Sequence, residues 1–320
     1  MVDKGLRILI VDGQSRLRRM LSRMLSDSGA IAVHQASDLP AAKNIMLNLP
    51  VDIVLCDWSS PGLDGMDFLR SVRLADITKF LPFLVMSVTG QLEDDDFAVG
   101  KDFDVDGLIL KPINQDDLQE KVDSTIKRYD AMKEDITHLS RAGAFIDVEM
   151  IGEAREELES IQKKDPALPR IWTDAGLLHE SMDSTLEAKS CFQKAISLDR
   201  DYARPYEGLG NLLWREGNLD LASQFYESAA TISPRNPARQ FSFARLLLET
   251  GDTDGAHAVV HRALEGKKSV GSRSAAAAEF FLSAGHPEMA EIEYAFAIEM
   301  NPNNLKYYNR LGMAYRRQKK

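Results

Sequence analysis

The chain has 320 residues, with 39 Lys and Arg against 49 Asp and Glu and a formal charge of −10. A net anion is drawn neither to a phosphate backbone nor to an anionic lipid surface, so neither nucleic acid nor membrane is expected as a partner. Two distant cysteines, Cys56 and Cys191, form no disulfide framework or zinc signature, and no apolar run approaches the roughly 18 residues of a membrane span, so the expected location is cytoplasmic.

Residues 1–113 alternate short apolar runs with helical spacing. Arg7–Val11, Ile31–Gln35, Val51–Cys56, Phe83–Ser87 and Gly107–Leu110 predict buried strands, because parallel strands covered on both faces read as continuous hydrophobic runs. Ser15–Leu25, Asp64–Val72 and Gln91–Val99 carry helical spacing between them. Such βα units predict an α/β doubly wound five-stranded parallel sheet with helices on both faces. From Gln115 onward no strand signal returns. Leu118, Val122, Thr125, Tyr129, Met132, Ile136 and Leu139 recur at alternating spacings of four and three, and no Gly or Pro interrupts residues 115–141. That predicts one continuous helix, its first half packed on the sheet and its second on the helical region. The alternative is a coiled-coil dimer.

The helical region repeats with a period of 34: Ala154, Ala188, Ala222, Ala256 and Ala290 recur without a slip. Four residues after each stand Leu158, Phe192, Tyr226, Val260 and Tyr294, and three further on Ile161, Ala195, Ala229, Ala263 and Ala297. Pro166, Pro234 and Pro302 stand where a second helix must stop, with Arg200 and Lys268 in the intervening slots. Trp172, Tyr206 and Tyr308 are in step, as are Gly176, Gly210 and Gly312. This pattern resembles the tetratricopeptide repeat, a helix–turn–helix unit that stacks into an all-α solenoid. Small residues let the paired helices approach, and the aromatic is expected to fill the gap between neighbouring units. The units fall near 135–168, 169–202, 203–236, 237–270 and 271–304, followed by a capping helix at 305–320 with Arg316, Arg317, Lys319 and Lys320 in solvent. The domains are then a core at 1–113, a last helix and linker at 114–134, and the repeat array at 135–320.

In an open α/β sheet, ligands bind outside the carboxyl ends of the strands. Those ends here give Asp12, Asp57, Ser87 and Lys111-Pro112. Two carboxylates, a hydroxyl and an ammonium in one crevice suit phosphoryl transfer to a carboxylate. Asp57 would attack, a Mg²⁺ held by carboxylates would offset charge, and Ser87 and Lys111 would bind the transferred oxygens.

The runs ILIVDGQSRLRRML, VDIVLCDWSSPGLDGMDFLRSVR, LPFLVMSV and LILKP, in this order over residues 7–113, resemble the receiver-domain family of two-component response regulators, its chemotaxis members in particular. The resemblance implies a flavodoxin-like receiver fold with Asp57 as phosphoacceptor and a sensor histidine kinase or phosphotransfer protein as donor. It further implies Asp12 as the first of an acidic pair, the Ser59 carbonyl as a metal ligand beside Asp12 and Asp57, Ser87 as the switch hydroxyl, Lys111 as partner of the phosphoryl group, and Pro112 in a cis-proline slot. Two positions depart from the pattern. Gly13 stands where the family has its second acid, which is expected to weaken Mg²⁺. Leu108 stands at the aromatic switch position.

In repeat arrays the first helices line the concave surface, and those slots hold Arg170, Arg204, Asn211, Arg215, Phe241, Arg245 and Glu249. An extended peptide or an acidic helix is the expected ligand. The run Glu93–Asp96 lacks the alternating ligands and turn glycine of a calcium site and reads as a solvated helix start. Three functions compete. The first is a non-enzymatic response regulator whose phosphorylation alters what the array binds, and the second is a phosphate-independent pseudo-receiver scaffold. The third is a phosphohydrolase, which would want an aspartate where Ser59 stands.

Overall fold

In a computed structural model the described residues are 5–58, 64–75, 77–88, 104–234, 236–265 and 269–319. The expected helix at 91–99, the acidic run at 93–96, Ser59, Lys268 and Lys320 lie outside them. The chain divides into two compact units, Met1–Leu198 and Asp199–Lys320.

The first unit opens with the sheet. Strands β1 (Arg7–Val11), β2 (Ala32–Ala36), β3 (Ile53–Asp57), β4 (Phe83–Val88) and β5 (Gly107–Lys111) are all parallel, in the order β2-β1-β3-β4-β5. Helices α1 (Ser15–Asp27), α2 (Leu39–Asn48) and α3 (Gly65–Leu74) intervene. The strand alternation sorts side chains into two cores. Ile8, Ile10, Ile53, Leu55, Leu84 and Met86 face Leu21 and Leu25 of α1, while Leu9, Val11, Val54, Cys56 and Val85 face Ala42 of α2 and Phe68, Leu69 and Val72 of α3. Strand β2 starts one residue later than its apolar run, because the ladder pairs Arg7 with Ala32 and leaves Ile31 72% exposed.

Helix α4 (Gln115–Asp147) is continuous past Arg141. Its Leu118, Val122 and Ile126 lie in the first sheet core. Its Met132, Leu139 and Ala142 lie in a separate core with Leu158, Ile161, Ile171, Trp172 and Ala175. The second half of its apolar stripe is therefore spent on α5 (Ile151–Lys164) and α6 (Pro169–Ser181), which leaves a coiled-coil seam nothing to bury. Helix α7 (Thr185–Leu198) completes the unit.

The second unit holds α8 (Ala203–Arg215), α9 (Leu219–Ile232), α10 (Pro237–Thr250), α11 (Thr253–Ala263), α12 (Val270–Ser283), α13 (Pro287–Met300) and α14 (Leu305–Arg317). Across both units the 34-residue alanine series is fully buried, and Pro166, Pro234 and Pro302 each stand two residues beyond a helix end. The aromatic after the alanine also packs inside its own unit, and Tyr226 meets Leu246 of the next unit as expected. Phe192 packs on Gly176 and Tyr226 on Gly210, each within its own helix pair, where a glycine Cβ would come within 2.7 Å and 3.1 Å of the ring. The terminal helix closes the stack. Its Arg317 is not merely solvated, since its Nη1 donates to the Leu282 carbonyl at 2.5 Å.

Candidate functional site

The sheet order reverses between β1 and β3, and the carboxyl ends of those strands bring Asp12 and Asp57 to one crevice. Both are buried, at 0% and 5% exposure. Lys111, at the end of β5, places its Nζ 3.0 Å from Asp12 Oδ2 and 3.1 Å from Asp57 Oδ2. The backbone N–H of Gln14 donates to Asp12 Oδ1 at 2.6 Å and holds the carboxylate, and Arg18 donates to the Asp12 backbone carbonyl at 2.5 Å. The Lys111-Pro112 peptide is cis.

Ser87, near the end of β4, is 1% exposed and its hydroxyl has no hydrogen-bond partner among the described residues. A buried orphaned hydroxyl costs about 1–3 kcal/mol unless something arrives to satisfy it. Two buried carboxylates share one ammonium. Both features fit a site for a cation together with an anionic oxygen donor. Asp12 and Asp57 fit a Mg²⁺ ion by their donor chemistry, and the exposed Gly13 supplies no third carboxylate.

Gly65 escaped the sequence reading as a site residue. A Cβ there would lie 2.9 Å from the Asp57 carbonyl oxygen and 3.0 Å from Trp58 Cα, so only glycine lets α3 start this close behind Asp57. Asp64, its N-cap, accepts from Asp67 N at 3.0 Å. Cys56 is buried, and burial pushes its thiol well above the ordinary range, consistent with an inert core residue.

The expected groove residues separate. Arg170 is not on an open surface. Its side chain is 15% exposed, with Nε 3.3 Å from Asp104 Oδ2, Nη1 donating to the Tyr129 hydroxyl at 3.2 Å, Nη2 donating to the Lys79 carbonyl, and its guanidinium over the Phe80 ring. It belongs to a buried polar cluster in which Arg73 pairs with Asp106 at 3.1 Å. Burial raises the Asp106 carboxyl despite that neighbour. In the second unit Arg215 and Arg245 are exposed, Arg204 is half-buried against the Tyr202 hydroxyl, and Asn211 accepts from the Tyr226 hydroxyl. Phe241 stacks on Phe280 with centroids 4.8 Å apart. Arg245 lines a depression with Trp214, Leu248, Glu249 and His286, and the Trp214 indole donates to Glu249 at 2.5 Å.

Comparison with known proteins divides the chain in the same way as its chemistry. Residues 8–123 match the response regulator receiver domain, and residues 173–237 and 213–269 match tetratricopeptide repeat families. The chemotaxis protein CheY-3 of Vibrio cholerae is 32% identical over 127 residues, 40% of this chain and 96% of the relative. The chemotaxis protein CheY of Pseudomonas aeruginosa is 32% identical over 123 residues, 38% of this chain and 98% of the relative. Among solved structures, the chemotaxis response regulator CheY4 of Vibrio cholerae is 26% identical with a TM-score of 0.35, covering 38% of this chain and 98% of that one.

Proposed function

The chain belongs to the response regulator receiver family, and from that premise we propose that Asp57 accepts a phosphoryl group and that the tetratricopeptide repeats bind a protein partner as the output. The observation that carries the reading is the Lys111 ammonium shared by two buried carboxylates, Asp12 and Asp57. The donor is a phosphohistidine of a kinase or phosphotransfer protein, or a small acyl phosphate. An Asp57 oxygen attacks phosphorus and the bond to the donor breaks; an imidazole leaving group takes up a proton, whereas an acyl phosphate leaves as its carboxylate. Lys111, already within 3.1 Å of Asp57, pairs with a phosphoryl oxygen, and the Ser87 hydroxyl donates to another. Asp12 and Asp57 would hold a Mg²⁺ ion, which would neutralise charge during the transfer. The acyl phosphate biases a two-state receiver, and the repeats read that bias. On this reading the protein is a switch and not an enzyme, and it works in a reducing compartment where buried Cys56 and Cys191 stay free thiols.

The test is intact-mass measurement after incubation with acetyl phosphate and Mg²⁺. One added phosphoryl group is expected in the wild type and none in Asp57→Asn. An unmodified wild type at tens of millimolar Mg²⁺ would instead support a phosphate-independent scaffold. Two positions favour that second reading, the exposed Gly13 and the half-buried Leu108, which packs on the second sheet core.

A further inference from the structure

Helices α11 and α13 are the second helices of two successive repeat units. His257 and His261 are four residues apart on α11, so their side chains share one face. Glu293, on α13, meets them both. His257 Nε2 lies 2.8 Å and His261 Nε2 2.6 Å from the same oxygen, Glu293 Oε1. The two imidazole rings stand 4.3 Å apart at 30°. Among the described residues this is the one group of three His, Cys, Asp or Glu whose donor atoms all lie within 4.8 Å of one another.

The repeat scaffold does not call for these residues. One period earlier, the positions of His257 and His261 are Ser223 and Glu227, and that of Glu293 is Val259. The alanines and aromatics that pack the helices are already present around them. The carboxylate side chain is 7% exposed, while His257 is 49% and His261 34% exposed. A buried anion therefore forms the floor and two imidazoles form an open mouth. The Phe281 ring lies parallel to His257 with centroids 6.1 Å apart, and a Ser274 hydrogen bond helps keep the Glu293 carboxyl below its ordinary range.

We propose that His257, His261 and Glu293 form a binding site for a divalent first-row transition metal, Zn²⁺ above all, that clamps two repeat units together. Two neutral imidazole nitrogens and one carboxylate oxygen make a borderline donor set, which suits Zn²⁺, Co²⁺, Ni²⁺ or Cu²⁺ and discriminates against Mg²⁺ and Ca²⁺. Zinc–ligand bonds of about 2.0–2.2 Å in a tetrahedron separate donors by roughly 3.3 Å. The two histidine-to-carboxylate separations, 2.8 Å and 2.6 Å, need to open by roughly 0.5–0.7 Å. Binding moves each imidazole proton to Nδ1 and gives the Nε2 lone pair to the ion, which enters from the solvent side and keeps its fourth position for water.

The test uses the full chain, stripped with chelator and titrated with Zn²⁺ by calorimetry in millimolar Mg²⁺. Co²⁺ absorption in the visible serves as an independent signature of nitrogen and oxygen ligation. One equivalent is expected to bind the wild type and raise its melting midpoint. Binding should weaken at least tenfold in His257→Gln, whose half-exposed position leaves the helix intact, and in Glu293→Gln. Circular dichroism of the metal-free variants checks the fold, and the His257 variant stands alone if Glu293→Gln unfolds. Absence of binding to the wild type, or an affinity unchanged in His257→Gln, overturns the proposal, since any bound metal would then sit elsewhere.

Discussion

Arg170 Nε lies 3.3 Å from Asp104 Oδ2, which joins the first turn of α6 to the residues just ahead of β5. The same guanidinium covers the Phe80 ring at 5.0 Å and reaches the hydroxyl of Tyr129 on α4. Asp104 itself holds a φ of 55°, a left-handed conformation that Asp tolerates better than most residues. The receiver and the first repeats thus share a polar seam beside their apolar one. Burial lifts the Tyr129 phenol above its ordinary range, so it stays a neutral hydrogen-bonding group within the seam.

This placement separates two arginines that the sequence treats alike. Arg170→Ala removes a buried charge from its partners and should cost about 3–5 kcal/mol. Arg245→Ala, on an exposed helix face, should stay within about 0.5 kcal/mol. Urea denaturation followed by circular dichroism measures both, and equal costs would mean that the seam around Arg170 is not structural.

The glycines of the repeats make a second contrast. At Gly176 an added Cβ would sit 2.7 Å from the Phe192 ring, whereas at Gly312 nothing lies within 4 Å. Gly176→Ala should therefore overpack the helix pair and destabilise by about 1–3 kcal/mol. Gly312→Ala, inside α14, should stabilise by up to about 1 kcal/mol through helix propensity. Thermal midpoints moving in the same direction would contradict the packing described.

How much of this was readable beforehand differs by region. The parallel sheet and the repeat register were legible because both leave periodic apolar signals, and the strand ends then pointed to Asp12, Asp57 and Lys111, which the structure brings together. Arg170 was misread because its repeat slot normally faces a groove. Nothing local in the sequence tells that Asp104 and Phe80, 66 and 90 positions away, come to meet it. The pairing of His257 and His261 with Glu293 was hidden for the same reason: the four-residue spacing of the histidines is visible, but the carboxylate comes from another unit. Gly65 stood within the quoted motif, yet its need is set by the backbone of Asp57 behind it.

The acid missing from position 13 gives a prediction at the receiver crevice. Gly13 is exposed beside Asp12, so an aspartate there is expected to add a third carboxylate to the site. Gly13→Asp should lower the Mg²⁺ concentration for half-maximal phosphorylation by acetyl phosphate severalfold, because hard cations gain affinity with ligand charge. Intact mass across a Mg²⁺ series reads the midpoint. An unchanged midpoint would show that Asp12 and Asp57 already complete the protein's share of the coordination.

The last prediction concerns transmission along α4. Its apolar stripe leaves the receiver core at Ile126 and enters the repeat core at Met132, with Arg128 bonded to the Asp106 carbonyl at 2.7 Å and Tyr129 to the Asp106 carboxylate at 3.4 Å between them. One helix therefore belongs to two cores, and a shift in how its first half sits on the sheet must carry the second half with it. Four glycines inserted after Arg128 break that continuity and carry α6, with Arg170, away from Asp104. The beryllofluoride complex, a mimic of phosphorylated Asp57, is expected to change amide hydrogen exchange in α6 of the wild type and to leave α6 of the insert unaffected. Arg170→Ala, which keeps the helix but loses the polar seam, should show a reduced change. If the insert keeps the full wild-type response in α6, transmission does not run through this helix.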